Sequence, residues 1–141
     1  MNEHKNFGEA FSYIDVNEAI NWSKTYNQRF NINNIKFRKL VQNKRVLLAG
    51  CGPGRELYFL GKLNPKELIC LDEDPQNIKK SKIVAKTFFP KKNIKVLKKN
   101  IEKILYLHEF DLVFSAGVIH HAKRTDKCLV NLSRAVKKKG F

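Results

Sequence analysis

The chain has 141 residues, 43% of them hydrophobic, and a formal net charge of +15 from 28 Lys and Arg against 13 Asp and Glu. That length holds one domain and excludes two full ones, and the apolar fraction excludes a disordered or collagen-like chain. No run approaches the roughly 18 apolar residues of a membrane span, residues 1–8 are too polar for a secretion signal, and Cys51, Cys70 and Cys128 are too scattered for a disulfide framework or zinc site, so no metal or membrane partner and a reducing, cytoplasmic setting are expected.

Along the chain, Asp15 with Glu18 three positions on reads as a capping box, and Ala19, Ile20, Trp22, Tyr26 and Phe30 recur at near-helical spacing. A helix is expected over 16–28, broken by the Asn-rich stretch 31–34 and followed by a short helix or turn over 35–41. Arg45–Ala49 is a continuous apolar run of the kind buried on both faces of a parallel sheet, and forms the first strand. A helix over 55–63 ends at Asn64-Pro65. A second strand over 67–71 ends at Asp72, and Pro75 opens a helix toward Phe88. Residues 93–98 and 111–115 read as two more strands, and 126–138 as a helix with Leu129, Leu132 and Val136 inward. Strands alternating with helices predict a doubly wound, mostly parallel sheet. Residues 1–43 are a helical segment and 44–141 the domain proper.

The chemistry concentrates between the first strand and its helix, at Gly50-Cys51-Gly52-Pro53-Gly54, on the sheet edge where open α/β folds bind ligands. Bare backbone there allows close approach to a ligand and tolerates positive φ. A dinucleotide site would need a third glycine three positions after Gly52, where Arg55 stands, which disfavours a nicotinamide oxidoreductase. A triphosphate loop would need a Lys-Ser/Thr pair, which is absent. Asp72, 18 residues after Gly54, is placed either to accept from both hydroxyls of a ribose or to cap the helix that starts near Pro75.

In these motifs the chain resembles class I S-adenosylmethionine-dependent methyltransferases. Val46 to Gly54 resembles the family's Val-Leu-Asp-x-Gly-Cys-Gly-x-Gly signature. Asp72-Glu73-Asp74-Pro75 falls on its acidic turn, and Lys99-Asn100-Ile101-Glu102 on its Gly-Asp-hydrophobic turn. Phe110 to Ser115 with Val118-Ile119-His120-His121 follows Phe-Asp-x-Val…Val-Leu-His-His, and Arg134 to Phe141 follows Arg-x-Leu-Lys-Pro-Gly-Gly. The resemblance implies a Rossmann-like sheet of strand order 3-2-1-4, with about four of seven strands present. It implies S-adenosylmethionine as cofactor, lined at its methionine and ribose side by Gly50, Gly52 and Gly54, with Ala49 and Cys51 in the same cofactor-binding loop and Cys51 a small buried residue, not a nucleophile. Asp72 would take the ribose, with Glu73 also in the cofactor site, and Asn100 the adenine amino group, with Ile101 against the ring; Ser115, Ala116 and Gly117 would flank the methyl group. Two positions depart from the family: Leu48 stands where the signature has Asp or Glu, and Asn100 replaces Asp.

His120 and His121 follow the fourth strand, where an acceptor would enter. His120 is the candidate general base, and packing of one ring with solvation of the other is the plainer alternative. Trp22, Tyr26 and Phe30 are either packing residues or a lid. The implied activity is methyl transfer to a small-molecule acceptor. An RNA acceptor is the runner-up, motivated by the charge and by the ten lysines of residues 79–103, though Lys outnumbers Arg 22 to 6, as A+T-rich codons alone would produce. A non-catalytic cofactor-binding module is the rival outside enzymes. The chain is expected to be a fragment of the longer domain, with the fourth strand left as an unprotected edge.

Overall fold

A computed structural model of the chain describes residues 16–32 and 36–141. The elements in chain order are α1 (Val16–Ile32), α2 (Phe37–Val41), β1 (Arg45–Ala49), α3 (Arg55–Gly61), β2 (Glu67–Asp72), α4 (Pro75–Phe88), β3 (Ile94–Lys98), a 3-10 turn (Ile101–Lys103), β4 (Leu112–Phe114), a second 3-10 turn (Ile119–His121) and α5 (Thr125–Ala135). The four strands form one parallel sheet of order β3-β2-β1-β4, as expected. Asp15 of the expected capping box lies outside the described residues, as do residues 33–35 around the expected break.

Successive residues of a strand face opposite sides of the sheet, and β1 shows why its run is apolar throughout. Val46 and Leu48 enter a core with Leu57, Leu60, Val84 and Phe89, beneath α3 and α4. Leu47 and Ala49 enter the opposite core with Phe110, Cys128, Leu132 and Ala135, beneath α5. These four of the five β1 residues are fully buried, each larger one worth about 1.5–3 kcal/mol against exposure. The sheet is therefore a fixed middle layer, and its C-terminal edge is held from both sides.

Helix α5 differs from expectation. It ends at Ala135, and its inward stripe is Cys128, Leu132 and Ala135, whereas Leu129 is 52% exposed. Val136 leaves the helix in an extended conformation and forms a parallel bridge with Phe110. The edge of β4 is not bare either: Val113 N–H donates to the Phe141 carbonyl at 2.8 Å, and Phe141 N–H to Asp111 O at 2.9 Å. Edge strand β3 points Lys95 and Lys98 to solvent, a device that discourages pairing with another chain.

Helix α1 reaches past its expected end and lies against α3. Tyr26 stacks on Phe59 with centroids 5.5 Å apart and meets Phe114 edge-on at 6.2 Å. Among the described residues no helix is long and apolar enough to cross a membrane.

Candidate cofactor cleft

A cleft of about 650 Å³ opens at the C-terminal ends of the strands. Gly50, Gly52, Asp72, Glu73, Asn100, Ile101, Ala116 and Gly117, all singled out from the sequence, line it. Ala49, Cys51, Gly54, Ser115 and His120 do not. Cys51 is fully buried, and burial with the nearby Asp72 charge pushes its thiol up to about 12, so it packs as a neutral small residue. Ala49 is core.

The three glycines of the loop all have positive φ, for different reasons. At Gly50 a Cβ would sit 2.3 Å from Val118 Cγ2, and at Gly54, which starts α3, 2.8 Å from Val84 Cγ2. These two positions exclude side chains because protein atoms occupy the space. Gly52, at φ 52°, has nothing within 4 Å of its missing Cβ. It leaves room in the cleft itself, and Gly117, at φ 69°, does the same on the β4 side.

Asp72 ends β2 and ties the loop down. Its Oδ2 accepts from Gly52 N–H at 2.9 Å, and its Oδ1 from Asp74 N–H at 2.9 Å and Asn77 Nδ2 at 3.4 Å. The cap of α4 is Asp74, which accepts from Gln76 and Asn77 N–H at 2.8 and 3.1 Å, so capping does not account for Asp72. From α4, Ser81 donates to the Gly52 carbonyl at 2.8 Å and clamps the loop from the other side. Asn77, buried at the cleft wall, carries an Oδ1 with no hydrogen-bond partner. The Asp72 carboxylate presents acceptors to anything in the cleft that bears hydroxyls.

Across the cleft, Asn100 Oδ1 accepts from Glu102 N–H at 2.7 Å and caps the 3-10 turn. One of the oxygen's two lone pairs is thus committed to the backbone. Ile101 is largely buried beside it, and Asn131 Nδ2 holds the Ile101 carbonyl at 2.9 Å. Glu102 accepts from Arg124 N–H at 3.0 Å, joining this turn to the start of α5. Beyond β4, Ser115 Oγ is buried without a hydrogen-bond partner. His121 lines the cleft, and His120 is exposed with its ring centroid 3.9 Å from that of His121.

Residues not singled out as site residues complete the wall above β1. Arg55 and Glu56, in the first turn of α3, both line the cleft. Glu56 is only 5% exposed, and its Oε1 accepts from Tyr26 Oη at 2.6 Å. Burial raises the pKa of both groups. Arg55 lies 4.8 Å over the Trp22 ring. An acid directly before the apolar stretch Leu57–Gly61 is a visible signal for Glu56; Tyr26, thirty residues away, offers none.

A family model described as a methyltransferase domain matches residues 40–141. The chain belongs to this methyltransferase-domain family. Among similar proteins, the tRNA U34 carboxymethyltransferase of Helicobacter pylori is 30% identical over 108 residues, 75% of this chain and 41% of that protein. The enzyme of the same name from Aliarcobacter butzleri is 27% identical over 131 residues, 92% of this chain and 41% of that protein. The methyltransferase domain also shares its fold with magnesium protoporphyrin IX methyltransferase from Synechocystis PCC 6803, solved with bound S-adenosylmethionine, at a TM-score of 0.61 and 14% identity over 86% of this chain and 52% of the other. The chain spans 25% to 41% of the length of the curated relatives it matches.

Proposed function

We propose that the chain binds S-adenosylmethionine in this cleft and takes part in transferring its methyl group to an RNA acceptor. The observation that carries the cofactor assignment is the Asp72 carboxylate at the end of β2, lining the cleft and held to Gly52 N–H at 2.9 Å, beside the open space kept by Gly52. Ribose hydroxyls are costly to desolvate, and the two oxygens of a carboxylate fixed at the end of β2 offset that cost. Asn100 would meet the adenine amino group through the lone pair that Glu102 leaves, with Ile101 against the ring. Ala116 and Gly117 would border the transferred group.

When bound, the cofactor supplies an electrophilic methyl on a sulfonium whose leaving group is a neutral thioether. Such transfer depends on alignment, and the loop clamped by Asp72 and Ser81 supplies a rigid reference for it. His121 lines the cleft, and we assign it, in place of His120, to the acceptor side.

For the acceptor, the small molecule expected from the sequence gains no support, since both relatives carry tRNA in their names. Lys99, Lys103 and Lys123 line the cleft and suit a phosphate backbone. Carboxymethyl transfer is a second reading, favoured by the relatives' names and by the same cations, which suit a donor with an added carboxylate. The test is to incubate the protein with total tRNA and S-adenosylmethionine labelled in the methyl group. Label that becomes RNase-sensitive supports the assignment, and label that stays with small molecules overturns it. A parallel incubation with a donor whose transferred carbon bears the added carboxylate, read by the mass added to the nucleoside, separates methyl from carboxymethyl.

A further inference from the structure

The sheet order lays the cleft out as a sequence of chemical environments. Asn100 and Ile101 follow β3, Asp72 ends β2, Gly52, Arg55 and Glu56 stand above β1, and Ala116 and Gly117 follow β4. A nucleoside held by Asp72 with its base toward β3 directs its 5′ substituent toward β1. In S-adenosylmethionine that substituent ends in an ammonium and a carboxylate. The β1 end of the cleft presents one acid and one guanidinium on consecutive residues, Glu56 and Arg55.

Leu48 cannot meet the ammonium, because it is apolar and fully buried in the core. Glu56 can. Its side chain is buried, faces the cleft and has one oxygen held by Tyr26 at 2.6 Å. We propose that Glu56 is the anionic partner of the cofactor's ammonium group, with Tyr26 of α1 as its positioning residue and Arg55 toward the carboxylate. This rests on the cofactor assignment above. Burial holds the Glu56 carboxyl above the usual carboxylate range, the mark of a desolvated anion that gains from a cation brought beside it. The purely structural alternative is a hydrogen bond that fastens α1 to α3 and has no part in binding.

Two ligands separate these cases by calorimetric titration. S-adenosylhomocysteine carries the ammonium and carboxylate, whereas 5′-methylthioadenosine has the same adenosyl thioether without them. Glu56→Gln keeps an acceptor for Tyr26 and removes the charge. It is expected to weaken S-adenosylhomocysteine by about tenfold or more, from the loss of a charged hydrogen bond, and to leave methylthioadenosine unchanged. Tyr26→Phe keeps the charge and is expected to lose about threefold on S-adenosylhomocysteine alone, as for a weaker, positioning contribution. Equal affinities in wild type and both variants, or equal losses on both ligands, overturn the proposal while leaving the cofactor assignment intact. A wild-type protein that binds neither ligand overturns both.

Discussion

A methyl group added at Gly50 would lie 2.3 Å from Val118 Cγ2, whereas one added at Gly52 would meet nothing. Gly50→Ala therefore overpacks the interior at a cost of about 1–3 kcal/mol, with about 1 kcal/mol more for the positive φ. Gly52→Ala carries only the backbone cost of about 1 kcal/mol, but its methyl enters the cleft. Denaturant melts should show Gly50→Ala as the more destabilised, with partial recovery on adding Val118→Ala. Titration with S-adenosylhomocysteine should show Gly52→Ala binding more weakly than its stability loss explains. At Glu56 the folded state binds a proton more tightly than the unfolded chain, because burial raises the carboxyl above 4.5. The associated stability is fully present below pH 4.5 and lost as pH rises through the raised value. Above it, the fold carries a desolvated charge. Glu56→Gln should accordingly raise the melting temperature at pH 8 by a few degrees, about 1 kcal/mol, with the gain shrinking toward pH 5. Identical gains at both pH values would show that the charge is not the cause.

At the scale of elements, the strands were legible because a doubly buried strand has one signature, an unbroken apolar run such as Val46 to Ala49, and the loop and acid that follow such strands are local too. Helix α5 was legible only in kind. Stripes at 129, 132, 136 and at 128, 132, 135 both have helical spacing, and the small residues Cys128 and Ala135 win because they let the helix sit close on Leu47 and Ala49. The sequence allows Asp72 to cap α4 as the alternative to ribose binding, but only Asp74, two residues on, has the capping geometry. The Tyr26–Glu56 and Ser81–Gly52 contacts each join residues about thirty positions apart, and no periodicity reports such pairs. Edge strand β3 supports a prediction of its own. Lys95 and Lys98 keep its outer edge charged, with Lys95 Nζ 3.1 Å from Glu67 Oε1. Replacing both by valine raises strand propensity and removes that charge, so the double variant should self-associate where the wild type does not, as light scattering would register.

For the whole molecule, the charge of +15 has two competing origins, selection for a polyanion and codon usage, and they make different demands on position. Codon usage scatters lysine over every solvated face, and any polyanion then feels only the net charge. A built interface concentrates the effect where phosphates lie, and Lys99, Lys103 and Lys123 line the cleft. Replacing these three by glutamine, or replacing the exposed Lys39, Lys66 and Lys138 outside the cleft lining, removes the same formal charge in both variants. Each phosphate contact contributes about 0.7–0.9 to the slope of log affinity against log salt. The cleft variant should therefore bind tRNA with a slope shallower by about 2 to 3, and the control variant with the wild-type slope. Because counterion release is counted contact by contact, equal slopes in the two variants would mean that RNA senses the charge of the molecule and not the cleft, and the RNA acceptor would lose its structural basis.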